Sequence, residues 1–556
     1  MKVLVIIRDG EVMTNALCMK KEIFSKQYYD FVDRFVQSDF EDKKILGKFY
    51  TNEFVVKNLV QDILDINQTK KEEISIIDPF AGDGRMIIRF LEELSKRQSP
   101  IKKVSVEIWD IDKKAVSLAL REIEEISKRL PYIVEVQEKV TDAFIEYVDG
   151  IGKYDICITN PPWGLLKPLK IFNTRCDESE LDEYKSAISI YDEYMKEEFV
   201  ISRPTRKFGK WGSNLGRIGT EVALKLIKKD GICGVVSPVS LFNDQVSFPL
   251  RKWIFENYTI KKIDYYPSEL KLYDSADVSS ITVVVTRGET VKPFEIACFC
   301  GEKNNEICLS KKDLDFIRKN EYSIPLETGF NTIHVLEKLQ HFISTEEFCN
   351  HNSMVFTREL DETRISEKVK TEGKILFAKG YMVNRYSYTS DDLYIDEKKV
   401  SIPKTVSDWK LVWRDVSRNS QKRRMKCTLL PPNHMAGNSL GVIALEDENK
   451  MPEFKYLLAI MNSMVYEFQA RRMLVSNHVS SGVVKKIRVP NGNVELIAQM
   501  VDQVIAGHQS EFELEVLAAI SYGLSQDDFM ELISTYQFEK SEKDELINII
   551  KKYYGE

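Results

Sequence analysis

From Ile74 onward the chain alternates short apolar-rich runs with stretches in which apolar residues recur at helical spacing. Ile74 to Ile77, Val104 to Trp109 and Tyr154 to Ile158 read as buried parallel strands. Tyr132 to Val140 is weakly strand-like. Between the first two strands, Met86, Ile87, Phe90, Leu91 and Leu94 share one face of a helix spanning Arg85 to Leu94. Strands alternating with helices in this way predict an α/β, Rossmann-like doubly wound domain with its ligand at the carboxyl ends of the strands.

Past Lys374 the pattern changes. Short strands, Ile375 to Ala378 and Leu411 to Trp413, alternate with loops, and Leu457 to Ser463 is helical. Phe512, Leu514, Val516, Leu517 and Ile520 mark a helical tail, and Ile23 to Val36 a helical start. The expected layout is an N-terminal helical segment (1–45), an α/β catalytic domain (46–290) and a connector (291–350) with the polar turn Gly301 to Asn305. A mixed α/β domain (351–490) and a small acidic helical C-terminal cap (491–556) follow.

Composition changes this picture in one respect. The chain has 556 residues, 43% hydrophobic and 30% charged, enough for two or three cores, and a net charge of -7. Residues 401–490 nevertheless hold 15 Lys and Arg against 7 Asp and Glu, while the tail from Asn491 holds 13 acidic residues against 4 basic. Basicity is thus concentrated in one segment, as a polyanion-binding surface requires. No run of 18 apolar residues and no signal peptide is present, and the nine cysteines are scattered apart from Cys298 and Cys300. A cytoplasmic chain, a monomer with no membrane partner, is the expectation. Six histidines form no ligand cluster, so no metal is expected.

Two motifs carry the candidate chemistry. The first strand closes on Asp78-Pro79-Phe80-Ala81-Gly82-Asp83-Gly84, which places glycines where the backbone needs positive φ or a close approach to a ligand. It is neither the dinucleotide fingerprint G-x-G-x-x-G nor a phosphate loop ending in G-K-[ST]. Carboxylates beside the glycines repel a pyrophosphate and suit a cationic adenosine cofactor, of which S-adenosyl-L-methionine is one. Asp110, at the end of the next strand and followed by Ile111, is placed to accept ribose hydroxyls, and Asp142, before Ala143 and Phe144, an adenine amino group. Any one of these acids alone would more often be a helix cap; four in strand order are not.

The second motif is Asn160-Pro161-Pro162-Trp163, after the Tyr154 strand. An exocyclic amine of a nucleobase is a poor nucleophile because its lone pair is delocalised. The Asn160 side-chain oxygen and the Pro161 carbonyl can accept its two N–H groups and draw it toward tetrahedral geometry. Pro162 stiffens the loop, and Trp163 offers a stacking face for a base drawn out of a duplex. Methyl transfer to a nitrogen so placed is an in-line displacement that depends on proximity and electrostatics.

With these motifs the chain resembles the gamma-class, TaqI-like N6-adenine DNA methyltransferases of type II restriction-modification systems, the type IIS modification enzymes most closely. The resemblance runs from about Gly47 to Pro490. It implies that Gly47-Lys48-Phe49-Tyr50-Thr51-Asn52, similar to the family's G-x-[FY]-[YF]-T-[PN] segment, places Tyr50 and Thr51 over the methionine end of the cofactor. It also implies an aromatic residue below the flipped base, for which Tyr273 is the candidate and Tyr265 and Tyr266 compete. Duplex DNA is then the substrate, with a separate cognate restriction endonuclease as functional partner and S-adenosyl-L-homocysteine as product.

The basic segment is the expected target-recognition domain. Arg414, Arg418, Lys422, Arg423, Arg424 and Lys426, then His434 and Asn438, and after the helix bearing Asn462 the residues Arg471, Arg472 and Asn477, are candidate DNA contacts. Trp413 lies among them. Arg203 to Arg217, with Trp211, reads as a loop near the target base. Asp264 with Glu269-Leu270-Lys271 imitates a nuclease D…E-x-K but is taken as chance. A catalytically silent DNA-binding defence subunit, an orphan or defence-system methyltransferase, and an RNA or protein methyltransferase are the alternatives; the intact Asn160 motif and the large basic domain disfavour the first and the last.

Overall fold

The computed structural model describes residues 51–555 apart from 68–69, 170–172, 174–175, 204–211, 274–277, 301–302, 327–332, 419–420 and 475–476. The expected N-terminal helical segment, Tyr50, and Trp211 lie outside the described residues. The chain divides into two compact units, Met1–Ile324 and Pro325–Glu556.

In the first unit, helix α1 (Glu53–Ile66) is capped by Asn52, whose side-chain oxygen accepts from the Phe54 N–H at 2.9 Å. Strand β1 (Glu73–Asp78), helix α2 (Arg85–Ser95), strand β2 (Lys103–Asp110), helix α3 (Lys113–Ser127) and strand β3 (Ile133–Val140) follow in the order that the apolar pattern predicts. Helix α4 (Ala143–Gly150), strand β4 (Tyr154–Thr159), helix α5 (Glu178–Glu198), helix α6 (Leu215–Leu226) and strand β5 (Ile227–Pro238) complete the wound half. Strands β6 (Tyr258–Tyr266), β7 (Ser280–Arg287), β8 (Glu295–Cys300) and β9 (Lys303–Cys308) extend the sheet.

The nine strands are ordered β3-β2-β1-β4-β5-β7-β6-β8-β9. The pairs from β3 to β5 are parallel, and β7 runs antiparallel between β5 and β6. The order reverses between β1 and β4, so the crevice there is the topological switch point where a doubly wound sheet takes its ligand. Val55, Val56, Leu59 and Ile63 of α1 and Met86, Ile87, Phe90, Leu91 and Leu94 of α2 join Ile74, Ile76, Val104, Ile108, Ile156 and Ile158 in one core, the helical faces that spacing predicts.

The expected connector 291–350 does not stand apart. Its first part supplies β8 and β9, β8 pairing with β6 in parallel, so the sheet runs past 290 to Cys308, and the rest is divided at Ile324. Strand β9, KNNEIC, is polar and overlaps the expected turn Gly301 to Asn305, whereas β8, EIACFC, is apolar and lies beyond the expected boundary.

The second unit contains an antiparallel sheet of β10 (Met354–Thr357), β11 (Lys410–Arg414), β12 (Cys427–Leu430) and β13 (Leu440–Leu445), ordered β10-β13-β11-β12. A smaller sheet pairs Leu376–Ala378 in parallel with His434–Ala436. Helices α7 (Met451–Asn462), α8 (Met464–Arg471), α9 (Val494–Ile505), α10 (Glu511–Ser521), α11 (Gln526–Ser534) and α12 (Lys540–Tyr554) follow. The mixed α/β character and the helical end both match expectation.

Candidate functional site

The site is assembled where β1, β2 and β4 end and where β3 turns into α4. A pocket of about 940 Å³, its mouth included, is lined by Asp78 to Asp83, Asp110, Ile111, Asp142, Ala143, Phe144 and Asn160 to Pro162, and also by Thr51 and Leu215. Both motifs therefore face one cavity.

The glycine loop has the backbone its residues imply. Gly82 and Gly84 have φ of 52° and 78°, and a Cβ on Gly84 would stand 2.9 Å from the Ala119 side chain of α3. Any larger residue at Gly84 would push the loop off that helix. Asp110 organises the loop from across the crevice. Its Oδ2 accepts from the Gly82 N–H at 2.8 Å and its Oδ1 from the Asp112 N–H at 2.9 Å.

Asp78 is buried. Its Oδ1 accepts from the Thr159 hydroxyl at 2.6 Å and the Phe80 N–H at 3.1 Å, whereas Oδ2 has no hydrogen-bond partner among the described residues. Burial pushes its carboxyl up to about 7, and the charges of Asp110 and Asp83 add to the effect. Asp142 is more committed than expected: it caps α4 through the Phe144 N–H at 2.9 Å and accepts from the Tyr191 hydroxyl of α5 at 2.5 Å. Cap and pocket wall are the same residue. Phe80 and Phe144 lie with ring centroids 5.2 Å apart, tilted by 49°.

Asn160 donates from Nδ2 to the Thr51 Oγ1 at 2.9 Å, which fixes the plane of its amide. Thr51 is itself tied to the glycine loop, because Arg85 donates to the Thr51 carbonyl at 2.6 Å while chelating Asp83. Helix α6 lies against the second motif: a Cβ on Gly219 would stand 2.3 Å from the Pro161 Cβ. Trp163 meets Tyr273, with ring centroids 4.8 Å apart and planes at 61°. Of the three competing tyrosines, Tyr273 is the one against Trp163. Tyr266 instead stacks on Phe299 and bonds Asn58 and Asp264.

Arg85, Tyr191, Leu215 and Gly219 escaped the sequence reading. Asp83-Gly84-Arg85 was visible as a charged pair beside a glycine, but its reach to Thr51 depends on the fold. The nuclease-like Asp264 is buried under Tyr266 while Glu269 is exposed, so the two do not form an open acidic site.

In the second unit most of the candidate DNA contacts turn inward. Arg423 pairs with Glu467 at 3.0 Å and Glu515 at 2.7 Å and donates to the Asn462 carbonyl. Arg471 also pairs with Glu467, at 2.9 Å. Burial opposes the charge of Glu467, but Arg471 and Arg423 hold its carboxyl down at about 2. Arg424 and Asn462 are buried, the latter bonding the Cys427 backbone through both ends of its amide. His434 is buried with Nδ1 on the Pro431 and Pro432 carbonyls, and Arg414 reaches the Val383 carbonyl at 2.6 Å. Trp413 is fully buried over Gly441, its Nε1 donating to the Val479 carbonyl. These side chains hold the unit together through the contacts named.

Arg418, Lys422 and Asn477 are exposed; Lys426, Asn438 and Arg472 are half-buried, with the Asn438 oxygen on the Glu362 N–H. The tail does not turn away from the basic segment. Glu539 pairs with Lys422 at 2.8 Å, and Glu511 and Glu515 with Arg385. Among the described residues no group of His, Cys, Asp and Glu is arranged to hold a metal, and no helix is long and apolar enough to cross a membrane.

Sheet order and pocket define a Rossmann-like doubly wound domain with its ligand crevice at the switch point. Residues 19–190 match the family model for N-6 DNA methylases. The type II methyltransferase M.VspI of Vibrio sp. (strain 343) is 25% identical over 182 residues, which are 33% of this chain and 40% of that relative, so the chain spans well under two thirds of its length. Among solved structures, the type IIL restriction-modification enzyme MmeI in complex with DNA shares the fold, with TM-score 0.50 and 12% identity over 98% of this chain and 78% of that one. The type IIG restriction endonuclease BpuSI aligns with TM-score 0.37 and 12% identity over 93% of this chain and 66% of that one.

Proposed function

We propose that the protein is an S-adenosylmethionine-dependent DNA methyltransferase of the gamma, TaqI-like class that modifies the N6 amino group of an adenine flipped out of duplex DNA. We assign it to the modification side of a type II system, of type IIS kind, with a separate endonuclease. One observation carries the reading: the acid-tipped ends of β1, β2 and β3 and the Asn160-Pro161-Pro162 loop line one pocket. The match of residues 19–190 to N-6 DNA methylases supports it.

The pocket fits an adenosine with a cationic tail. Asp110 lines the pocket as the acceptor for ribose hydroxyls, Phe80 and Phe144 supply flat apolar walls, and Asp78 offers a buried carboxylate oxygen to positive charge. When bound, S-adenosylmethionine supplies a methyl group activated by its sulfonium. Asn160 and the Pro161 carbonyl accept the two N–H groups of the target amine and localise its lone pair. Thr51, by accepting from Asn160 Nδ2, turns the amide so that its oxygen is the acceptor facing the amine. Those hydrogen bonds strengthen as the nitrogen becomes positive, so they stabilise the transition state more than the ground state. Trp163 and Tyr273 form the aromatic contact for the extruded base. The displacement needs no metal and no covalent nucleophile.

The test is to incubate the full chain with methyl-labelled S-adenosylmethionine and unmethylated bacterial DNA, and to digest the product to nucleosides. Label in N6-methyladenine is expected. Label in cytosine, in RNA or in protein alone would overturn the reading, and sequencing of modified DNA would give the recognised word.

A further inference from the structure

Arg217 lies in the first turn of α6, the helix that lies against the second motif. The Asn214 cap accepts from its N–H at 3.0 Å, and the neighbouring Leu215 N–H donates to the Gly164 carbonyl at 2.9 Å. A Cβ on Gly216 would stand 3.7 Å from the Pro162 carbonyl oxygen and 3.8 Å from the Trp163 ring. The Arg217 backbone is thus fixed beside the loop that carries Asn160.

The Arg217 side chain is only 10% exposed, yet its guanidinium makes no hydrogen bond among the described residues. Nε is buried without a partner, and the single ionic contact is Asp244 Oδ2 at 4.0 Å, beyond hydrogen-bonding distance. That carboxylate is already engaged: Oδ1 accepts from the Ser247 N–H at 2.6 Å and stands 3.9 Å from Arg251. Arg251, by contrast, is satisfied by the carbonyls of Leu241, Asp244 and Glu321. Two buried arginines therefore share one carboxylate, and one of them is left with its donors unused. A buried cation in that state is costly to folding, and the planar fork of a guanidinium matches an anion with two oxygens.

Two anions could supply such oxygens: a phosphodiester of DNA and the carboxylate of the cofactor. Arg217 does not line the cofactor pocket, although Leu215 does. We propose that Arg217 is the binding site for a DNA backbone phosphate beside the nucleotide that enters the Trp163–Tyr273 contact. The assignment rests on the DNA-methyltransferase reading above.

The test uses the full chain with Arg217→Met, similar in length and uncharged. Duplex binding is measured by fluorescence anisotropy over a salt series, cofactor binding by calorimetry, and Tm by scanning calorimetry. Duplex affinity should fall roughly tenfold and the log–log salt slope by about 0.9, the value for one lost phosphate contact. Cofactor affinity should stay within about twofold, and Tm should not fall, because removing an uncompensated buried cation does not cost stability. A lower Tm with unchanged duplex affinity and salt slope would make Arg217 a structural partner of Asp244 and overturn the proposal. Weaker cofactor binding with unchanged duplex binding would overturn it in favour of the cofactor carboxylate. If the Met variant does not fold, Arg217→Gln, which keeps a donor for Asp244 but no charge, carries the same slope criterion. A wild-type chain that binds no duplex would instead remove the DNA reading itself.

Discussion

Asp78 should make cofactor binding pH-dependent near neutrality, well above the range in which an ordinary surface carboxylate titrates. It is 1% exposed, both of its hydrogen bonds fall on Oδ1, and burial pushes its carboxyl up to about 7. In the free protein the ionised share is then ~9% at about pH 6 and ~91% at about pH 8, from one proton and one group. A cation bound in the pocket favours the ionised form and lowers the pKa again. Affinity for S-adenosylmethionine should therefore rise about tenfold from pH 6 to pH 8 and flatten above, and binding at pH 7 should release about half a proton. The release can be measured by calorimetry in two buffers of different ionisation enthalpy. Asp78→Asn should abolish it and bind with the affinity of the wild type at about pH 6; it also subtracts any titration of the ligand's own amino group. Proton uptake, or the same pH dependence in Asp78→Asn, would refute the reasoning.

Other expectations follow from the same geometry. Asn160→Ala should abolish methyl transfer while cofactor and duplex binding stay near wild type, since the lost acceptor acts on the reacting amine; turnover within a few fold of wild type would remove Asn160 from its role. Thr51→Val should lower kcat by about 10- to 100-fold with KM for DNA little changed, and Thr51→Ser should restore it, as steady-state kinetics would show. Arg423→Ala should act through stability rather than DNA affinity, because it leaves buried Glu467 to Arg471 alone and Glu515 to Arg385 alone, at a cost of about 1 to 3 kcal/mol; denaturant unfolding of the whole chain measures it. A fragment of residues 1–324 should fold and bind the cofactor, whereas a fragment of 1–290, which lacks β8 and β9, should be markedly less stable by thermal melting.

The parallel half of the sheet was legible because β1, β2 and β4 are largely apolar runs that end at Asp78, Asp110 and Asn160, while β3 gave only a weak signal ahead of Asp142. Asp78, Asp110, Asp142 and Asn160 needed only strand order to converge. The choice of Tyr273 over Tyr265 and Tyr266 was not legible: all three are buried, and the contact with Trp163 depends on how the chain returns after β6. The edge strand β9 was missed because its residues are polar, and β8, although apolar, was assigned to the connector with it. Arg85 was passed over because its partner, the Thr51 carbonyl, is a backbone atom that no residue pattern announces.

The basic segment shows why counting charge along a sequence misleads most where oppositely charged stretches lie close in the chain. The excess of Lys and Arg in residues 401–490 and the excess of acids after Asn491 were read as two surfaces facing opposite ways. The fold sets them against each other: Glu515 of α10 sits between Arg385 and Arg423, and Glu539, just before α12, meets Lys422. An arginine paired in this way contributes to the unit's stability and little to its external field, whereas an exposed one does the reverse. The polyanion-facing surface of this unit must then be drawn from the residues that remain outside, Arg418 and Asn477 among them, and from Lys422 only if a phosphate displaces Glu539 and Glu542. Both of those pairs are exposed and cheap to exchange. The helical tail therefore acts as the internal counterion of the basic segment, and removing it would unbalance Arg423 and Arg385 before it exposed any new surface to DNA.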